Sequence, residues 1–349
     1  MVLVLGLAAA LWGMGAVMKV PPRARWNMIC LLYVAVLALQ VALPEGHPVR
    51  VATGESPAFW LILGAFAALV LGYRTVLRRL RGRAQAEEAK AAPVTAGLFS
   101  ETELNRYARH IVLRELGGAG QKTLKDARVL VVGAGGLGAP VLQYLAAAGV
   151  GTIGVIDHDA VENTNLQRQV IHPDSAIGTP KVFSAQAAMQ AQNPFVTVRP
   201  YHRRLEAEIA ESLFEDFDLI LDGSDNFETR YMVNAAAVRA GLPLVSGALT
   251  QWEGQVSVFD PAQGAPCYAC IFPKAPSPAL APNCAEAGVL GPLPGVVGSM
   301  MAVEAIKVIT GAGTPLRGEM VIYDALYGES RKIAVKRRAG CETCGVVLG

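Results

Sequence analysis

Arg128–Asp157 reads RVLVVGAGGLGAPVLQYLAAAGVGTIGVID. Its first five residues, Arg128–Val132, form a short apolar run rich in β-branched side chains, the mark of a buried strand. Gly133-Ala-Gly-Gly-Leu-Gly138 follows at once as G-x-G-x-x-G, and Ala139–Ala148 then carries strong helix formers. Thr152–Asp157 is a second apolar run and ends in an acid 19 residues beyond Gly138. A glycine loop alone is weak evidence, since any tight turn favours glycine. The order strand, loop, helix, strand, acid is more specific. It lets backbone N–H groups approach phosphates at a helix N-terminus while the acid accepts ribose hydroxyls. The stretch predicts a Rossmann-like α/β nucleotide fold with Asp157 on the ribose.

The alternation continues downstream. Asp218–Leu221 reads as a strand and runs into Asp222-Gly-Ser-Asp225-Asn226, followed by a helix at Glu228–Ala240 and a strand at Leu242–Ser246. Ligands of open parallel sheets bind beyond the carboxyl ends of the strands, where Asp225 and Asn226 would stand. Gln255–Phe259 and Met320–Tyr323 read as antiparallel additions with a helix at Val297–Ile309 between them, giving a mixed sheet. Upstream, Ser100-Glu-Thr-Glu103 has the capping-box form and opens a helix expected to reach about Glu115 before Gly117-Gly118.

Composition separates the chain into two environments. Of its 349 residues 52% are hydrophobic and 17% charged, against about 25% charged in a typical soluble domain. Mean hydropathy is +0.35. This balance argues against disorder and against a nucleic-acid-binding tail. Residues 1–97 hold ten Lys/Arg and four Asp/Glu, whereas the remainder holds 21 and 25. Met1–Met18, Trp26–Pro44 and Ser56–Tyr73 carry no charge, each close to the roughly 20 residues a membrane helix needs. Lys19, Arg23 and Arg25 follow the first, and Arg74, Arg78, Arg79, Arg81 and Arg83 follow the third, while the loop between the second and third carries Glu45, Arg50 and Glu55. By the positive-inside rule the amino terminus faces outward and everything after Arg74 faces the cytoplasm. A signal peptide fits poorly, because no basic segment precedes the first apolar run; buried helices of a soluble fold are the other alternative. The expected organisation is a membrane region at 1–83 with helices at about 1–18, 26–44 and 56–73, an Ala-rich tether at 84–99, and the nucleotide domain at 100–349. That organisation implies a multi-pass protein of the inner (cytoplasmic) membrane.

The glycine loop on its own suggests a nicotinamide oxidoreductase. The residues after Asp157 suggest otherwise. Asp157-His-Asp-Ala-Val-Glu-Asn-Thr164-Asn165-Leu166-Gln167-Arg168-Gln169 is followed by Gly178-Thr-Pro-Lys181 at a helix start. Arg168, Lys181 and Asp225 supply two cations and one carboxylate. Two cations suit a triphosphate, and a carboxylate suits Mg²⁺, which takes oxygen ligands together with phosphate. Exposed salt bridges are the plain alternative for each residue taken singly.

Cysteine usage adds a metal. Cys267-Tyr-Ala-Cys270 and Cys341-Glu-Thr-Cys344 are two C-x-x-C pairs, the four thiolates of a closed tetrahedral Zn²⁺ site that would be structural. Two separate redox pairs are the alternative, and neither sits at a strand-to-helix turn of thioredoxin type. Cys30 lies in an apolar run and reads as a small apolar residue.

These motifs together resemble the MoeB/ThiF/HesA family, bacterial relatives of ubiquitin-activating enzymes. The resemblance spans Leu104–Cys344 and rests on R-Y-A-R-H (Arg106–His110), G-A-G-G-L-G, D-H-D-A-V-E-N-T-N-L-Q-R-Q, G-T-P-K, S-D-N (Ser224–Asn226), C-Y-A-C, E-A-G-V and C-E-T-C, in family order. It implies ATP-dependent adenylation of the C-terminal glycine of a ubiquitin-like sulfur carrier ending in Gly-Gly. It also implies nucleotide contacts from Gly136, Asp157, Thr164, Asn165, Leu166, Gln167 and Asn226, phosphate contacts from Arg168 and Lys181, and Mg²⁺ on Asp225. Arg109 resembles an arginine that enters the partner subunit's site, which implies a homodimer. Cys284 resembles a position that forms a thioester or persulfide in some relatives; a bystander thiol in a mobile Pro- and Gly-rich crossover loop is the other reading. With no rhodanese-like extension after Cys344, sulfur is expected from a separate donor protein. The C-A-E-A-G-V form resembles the molybdopterin branch, hence molybdenum cofactor biosynthesis. The same chemistry on the thiamine carrier, a membrane-anchored binding module without catalysis, and a nicotinamide oxidoreductase stay open as alternatives. His110 and His172 read as packing or hydrogen-bonding residues.

Overall fold

The computed structural model describes residues 2–54, 56–90, 98–276 and 288–345. It contains two compact units, Met1–Thr95 and Ala96–Gly349.

In the first unit the helices are α1 (Val2–Val17), α2 (Pro22–Ala42), the short α3 (Pro48–Thr53) and α4 (Pro57–Lys90). Val4, Val36 and Trp60 are buried between them, and Tyr33 Oη donates to the Trp60 carbonyl at 2.6 Å. Gln40 Nε2 donates to Thr53 Oγ1 at 2.7 Å, which docks α3 on α2. Leu5, Leu31, Ile62 and Leu69 point outward. Pro22–Ala42 and the stretch Pro48–Leu77 are long and apolar enough to cross a membrane; Leu3–Val17 is shorter. One sequence expectation is corrected. Residues 84–90 (AQAEEAK) continue α4 instead of forming a tether, because Ala, Glu, Gln and Lys are strong helix formers.

The second unit is an eight-stranded sheet in the order β3-β2-β1-β4-β5-β6-β7-β8. The strands are β1 (Arg128–Val132), β2 (Thr152–Ile156), β3 (Thr197–Tyr201), β4 (Leu219–Asp222), β5 (Leu244–Leu249), β6 (Glu253–Phe259), β7 (Glu319–Asp324) and β8 (Glu329–Ala334). Pairing is parallel from β3 through β5 and antiparallel from β5 to β8, so the sheet is mixed as expected. Its helices are α5 (Glu101–Ile111), α6 (Gly117–Asp126), α7 (Gly138–Ala148), α8 (Lys181–Gln192), α9 (Ala207–Phe214), α10 (Phe227–Ala240), α11 (Tyr268–Ile271) and α12 (Pro292–Thr310).

Alternation along β1 builds both faces of the core. Val129 and Val131 pack with Leu142, Met189, Val297 and Met301 on one side, and Leu130 and Val132 pack with Phe214, Ile220 and Phe259 on the other. The capping box forms: Ser100 Oγ accepts from Glu103 N at 3.3 Å and Glu103 Oε2 accepts from Ser100 N at 2.9 Å. Its helix, α5, stops at Ile111, short of the expected Glu115, and Gly117-Gly118 opens α6 instead of only ending α5.

Candidate active site

The glycine loop joins β1 to α7. Gly133 has φ +92°, and a Cβ on Gly138 would lie 1.9 Å from the Gly133 carbonyl oxygen, so both positions require glycine. Asp157, just beyond β2, fixes this loop: its Oδ2 accepts from Ala134 N and its Oδ1 from Asp159 N, each at 2.8 Å. Beneath the loop, buried His172 bonds the Ala134 carbonyl through Nε2 and Ser184 Oγ through Nδ1, both at 2.9 Å. Burial holds the His172 pKa below its usual value although the bond to Ala134 opposes this. His172 is thus a hydrogen-bonding residue, as read from the sequence, whereas His110 Nδ1 is buried without a partner among the described residues.

Asn163–Asn165 is a single 3₁₀ turn, and Arg168 leans back on it, donating to the Thr164 carbonyl at 3.2 Å and to Asn165 Oδ1 at 3.3 Å. Gly136 lies between Arg168 and Pro294: a Cβ there would sit 3.1 Å from Pro294 Cβ and 3.7 Å from Arg168 Cγ. Thr164 and Gln167 are exposed and Leu166 is half-buried. Lys181, the first residue of α8, is only 6% exposed and pairs with Asp159 at 2.7 Å. Burial raises the Asp159 carboxyl, but the hydrogen bond and charge of Lys181 outweigh it, and the pKa is lowered.

The loop after β4 abuts the glycine loop, since a Cβ on Gly133 would lie 3.2 Å from the Gly223 carbonyl oxygen. Asp225 is exposed at its outer end; Asn226 is the N-cap of α10, accepting from Thr229 N at 2.9 Å. Underneath is a buried ion pair that sequence reading missed. Asp222 Oδ1 accepts from Ser224 N at 2.9 Å and from Ser224 Oγ at 2.6 Å; Asp222 Oδ2 lies 3.6 Å from Arg230 Nη1. Arg230 also donates to Ser246 Oγ at 3.2 Å and to the Ser224 carbonyl. Burying two charges is costly unless their remaining hydrogen-bonding capacity is met, and here several polar partners meet it. Asp222 and Arg230 carried no pattern signal, and Asp159, although inside the D-H-D-A-V-E motif, was given no role of its own.

Gly136, Asp157, the Thr164–Arg168 turn, Lys181 and Asp225 thus sit on elements at or near the carboxyl edge of the parallel strands. Arg109 does not join them. It is exposed on α5 with no ion-pair or hydrogen-bond partner among the described residues, whereas Arg106 bonds the Gln192 carbonyl and lies 5.7 Å over the Phe195 ring. Cys284 lies outside the described residues.

The four remaining domain cysteines converge. The Sγ atoms of Cys267, Cys270, Cys341 and Cys344 lie within 4.8 Å of one another and all four residues are buried. Individual separations are 3.7 Å for Cys267–Cys270 and Cys267–Cys341 and 3.5 Å for Cys270–Cys344. A tetrahedron with metal–sulfur bonds of about 2.3 Å has edges of about 3.8 Å, so the set fits a structural zinc site. Burial pushes Cys267 upward; for Cys341 backbone hydrogen bonds outweigh burial and bring the thiol down to about 6.

The chain is similar to several known proteins. Over 251 residues the chain is 52% identical to the sulfur carrier protein adenylyltransferase of Thermus thermophilus, covering 71% of this chain and 93% of that protein. It is 51% identical over 245 residues to a probable adenylyltransferase/sulfurtransferase, MoeZ, of Mycobacterium tuberculosis, covering 69% of this chain and 62% of MoeZ, less than two thirds of that relative's length. Among solved structures, E. coli MccB in its crystal structure with ATP shares the fold, with a TM-score of 0.60, 24% identity, and coverage of 69% of this chain and 74% of that one. The model of the ThiF family matches residues 107–343, well over half of the chain, and this protein therefore belongs to the ThiF family.

Proposed function

We propose that this protein adenylates the C-terminal glycine of a ubiquitin-like sulfur carrier with ATP. The observation that carries the reading is the 52% identity to a sulfur carrier protein adenylyltransferase across 93% of its length. A carrier carboxylate oxygen attacks the α-phosphorus of ATP, the bond from that phosphorus to the β-phosphate bridging oxygen breaks, and pyrophosphate leaves. The carboxylate is already ionised at neutral pH, so no general base is needed. Both reactants are anionic, and cations placed on the phosphates lower the barrier. Arg168 and Lys181 take that role, Asp157 takes the ribose, and Gly136 leaves room for the nucleotide, with Asn165 and its neighbours beside it. Mg²⁺, which Asp225 would hold, neutralises phosphate charge when bound. Zinc on Cys267, Cys270, Cys341 and Cys344 would hold the carboxyl-terminal segment to the body of the domain.

The same reading extends to the assembly. The C-A-E-A-G-V form supports the molybdopterin-type carrier, with the thiamine-type carrier as the competing outcome. The charge pattern supports three spans in the inner membrane with the catalytic unit in the cytoplasm, where ATP is. Arg109, exposed and without a partner among the described residues, supports a homodimer in which it completes the neighbouring site. Cys284 is the proposed thiol for a carrier thioester or persulfide.

ATP–pyrophosphate exchange by the full chain in detergent, with each carrier type, tests the reaction. Exchange is expected with one Gly-Gly carrier, and Asp225→Ala is expected to lower it by about 10³-fold or more with the fold intact. Near-normal exchange in that variant overturns the mechanism. Mixing Arg109→Ala with Asp225→Ala chains is expected to restore one working site per heterodimer; no recovery despite heterodimer formation rules out the shared site.

A further inference from the structure

The two cations of the site are held in different ways. Arg168 leans on its own turn, on the carbonyl of Thr164 and the side chain of Asn165. Lys181 has no such local support. Its ion-pair partner among the described residues is Asp159, 22 positions earlier in the chain. A lysine side chain has four rotatable bonds, so burying its stem without fixing its end leaves the ammonium poorly placed. Lys181 is moreover the first residue of α8, where the helix dipole disfavours a cation. A carboxylate close to the ammonium offsets that.

Asp159 grips the lysine at both ends. Its carboxylate takes Nζ at 2.7 Å and its carbonyl accepts from the Lys181 backbone N–H at 2.9 Å. The segments run side by side beyond this point: Ala160 bridges Pro180, Val161 N donates to the Thr179 carbonyl at 2.9 Å, and Gly178 N donates to the Val161 carbonyl at 2.8 Å. Asp159 is itself located by its N–H on Asp157 Oδ1, while Asp157 Oδ2 holds Ala134 of the glycine loop. An unbroken hydrogen-bonded path therefore runs from the glycine loop through Asp157 and Asp159 to Lys181 Nζ.

We infer that Asp159 is a positioning residue, which sets the place of the Lys181 ammonium relative to the glycine loop and so aligns its charge with the phosphate chain. This rests on the adenylation reading given above. Asp159 is negative and would repel a polyphosphate, so removing its charge does not weaken ATP binding through charge. What is lost is the alignment of Lys181, which matters where charge develops on the departing pyrophosphate. The signature is a fall in kcat without a rise in the KM for ATP. An Asp159 that bound Mg²⁺ or nucleotide directly would show the opposite split.

The test is exchange by the full chain in detergent at pH 8. Asp159→Asn is expected to lower kcat by about tenfold or more at an ATP KM no higher than that of the unsubstituted chain. Lys181→Met is expected to lower kcat by about 10²-fold, and adding Asp159→Asn to it is expected to cost nothing further, because residues acting through one another are not additive. Should Asp159→Asn not fold, Asp159→Glu keeps the charge one methylene further out and is expected to show the same split in milder form. An unchanged kcat, a raised KM at intact kcat, or an equal further loss on top of Lys181→Met overturns the positioning role while exchange by the unsubstituted chain stands. Absence of exchange in the unsubstituted chain with either carrier overturns the adenylation reading, and the positioning role with it.

Discussion

Helices α2 and α12 are nearly the same length, 21 and 19 residues, and their most apolar windows have mean hydropathies of 1.6 and 1.4. Only 11% of the α2 window is buried within the protein, against 44% of that of α12. In α12, Leu293, Val297, Met301 and Ala305 recur every fourth residue and lie in the core beneath the sheet. The helix also carries Glu304, buried, which accepts from Leu316 N at 2.8 Å and pairs with Lys307. In α2, no charged residue lies between Trp26 and Ala42, and Leu31, Val34 and Val41 point away from the other helices. Length and hydropathy say that a helix avoids water. They do not say whether protein or lipid replaces it. In α12 an apolar stripe backed by a buried carboxylate is covered by the protein itself, whereas α2 buries Val36 and Gln40 and leaves most of its apolar surface uncovered by protein.

The largest effect expected from this contrast is all-or-none. Deleting residues 1–95 is expected to move the protein from the membrane fraction to the soluble fraction with exchange activity kept. A truncated chain that still sediments with membranes would mean that a helix such as α12 or another surface of the second unit holds lipid, and the contrast would fail. A finer measurement compares single side chains. Met301→Ala is expected to destabilise the second unit by about 2–5 kcal/mol, as large-to-small changes in cores do. Leu31→Ala, outward-facing on α2, is expected to stay within about 0.5 kcal/mol. Denaturant unfolding of both variants in detergent measures this, and equal losses would break the contrast.

The smallest effect concerns pH. Burial in the second unit lowers the His172 pKa, so the unfolded chain takes up its proton first as pH falls. The stability contributed by the neutral ring is present in full above the unfolded value of about 6.5 and is lost as pH drops below it toward the folded value. His172→Gln, which cannot titrate, is expected to show a flatter dependence of Tm on pH between 7.5 and 5.5 than the unsubstituted chain. Parallel curves would show that His172 does not contribute to the acid sensitivity.

The parallel half of the sheet was legible in the sequence because β1, β2 and β4 are buried on both faces and must be continuously apolar. The elements that were not legible obey a different rule. β3 contains Pro200 and β8 reads Glu-Ser-Arg-Lys-Ile-Ala; these are the two edges of the sheet, where proline and charge are tolerated and apolar periodicity is not required. Gly117-Gly118 suggested an end and proved to be a beginning, since glycine is permissive in either setting. At the site, residues belonging to spaced motifs could be read, whereas Asp222 and Arg230 could not. Their pairing depends on the turn from β4 into α10 bringing them together, which no local periodicity encodes.

The four-cysteine cluster has a consequence in time. Between Cys270 and Cys341 lie α12, β7 and β8, so a metal joining the two pairs would close a long stretch of chain. By the chain-entropy account used for cross-links, closing a loop of that size removes roughly 4 kcal/mol from the freedom of the unfolded chain. That constraint cannot act until Cys344 has been synthesised. The glycine loop, Asp157, Lys181 and Asp225 all precede it, and at about 5–20 residues per second Asp225 leaves the ribosome roughly 6–24 s earlier. A metal clamp on these four thiolates would therefore be the last tie to form on a site whose residues are already made.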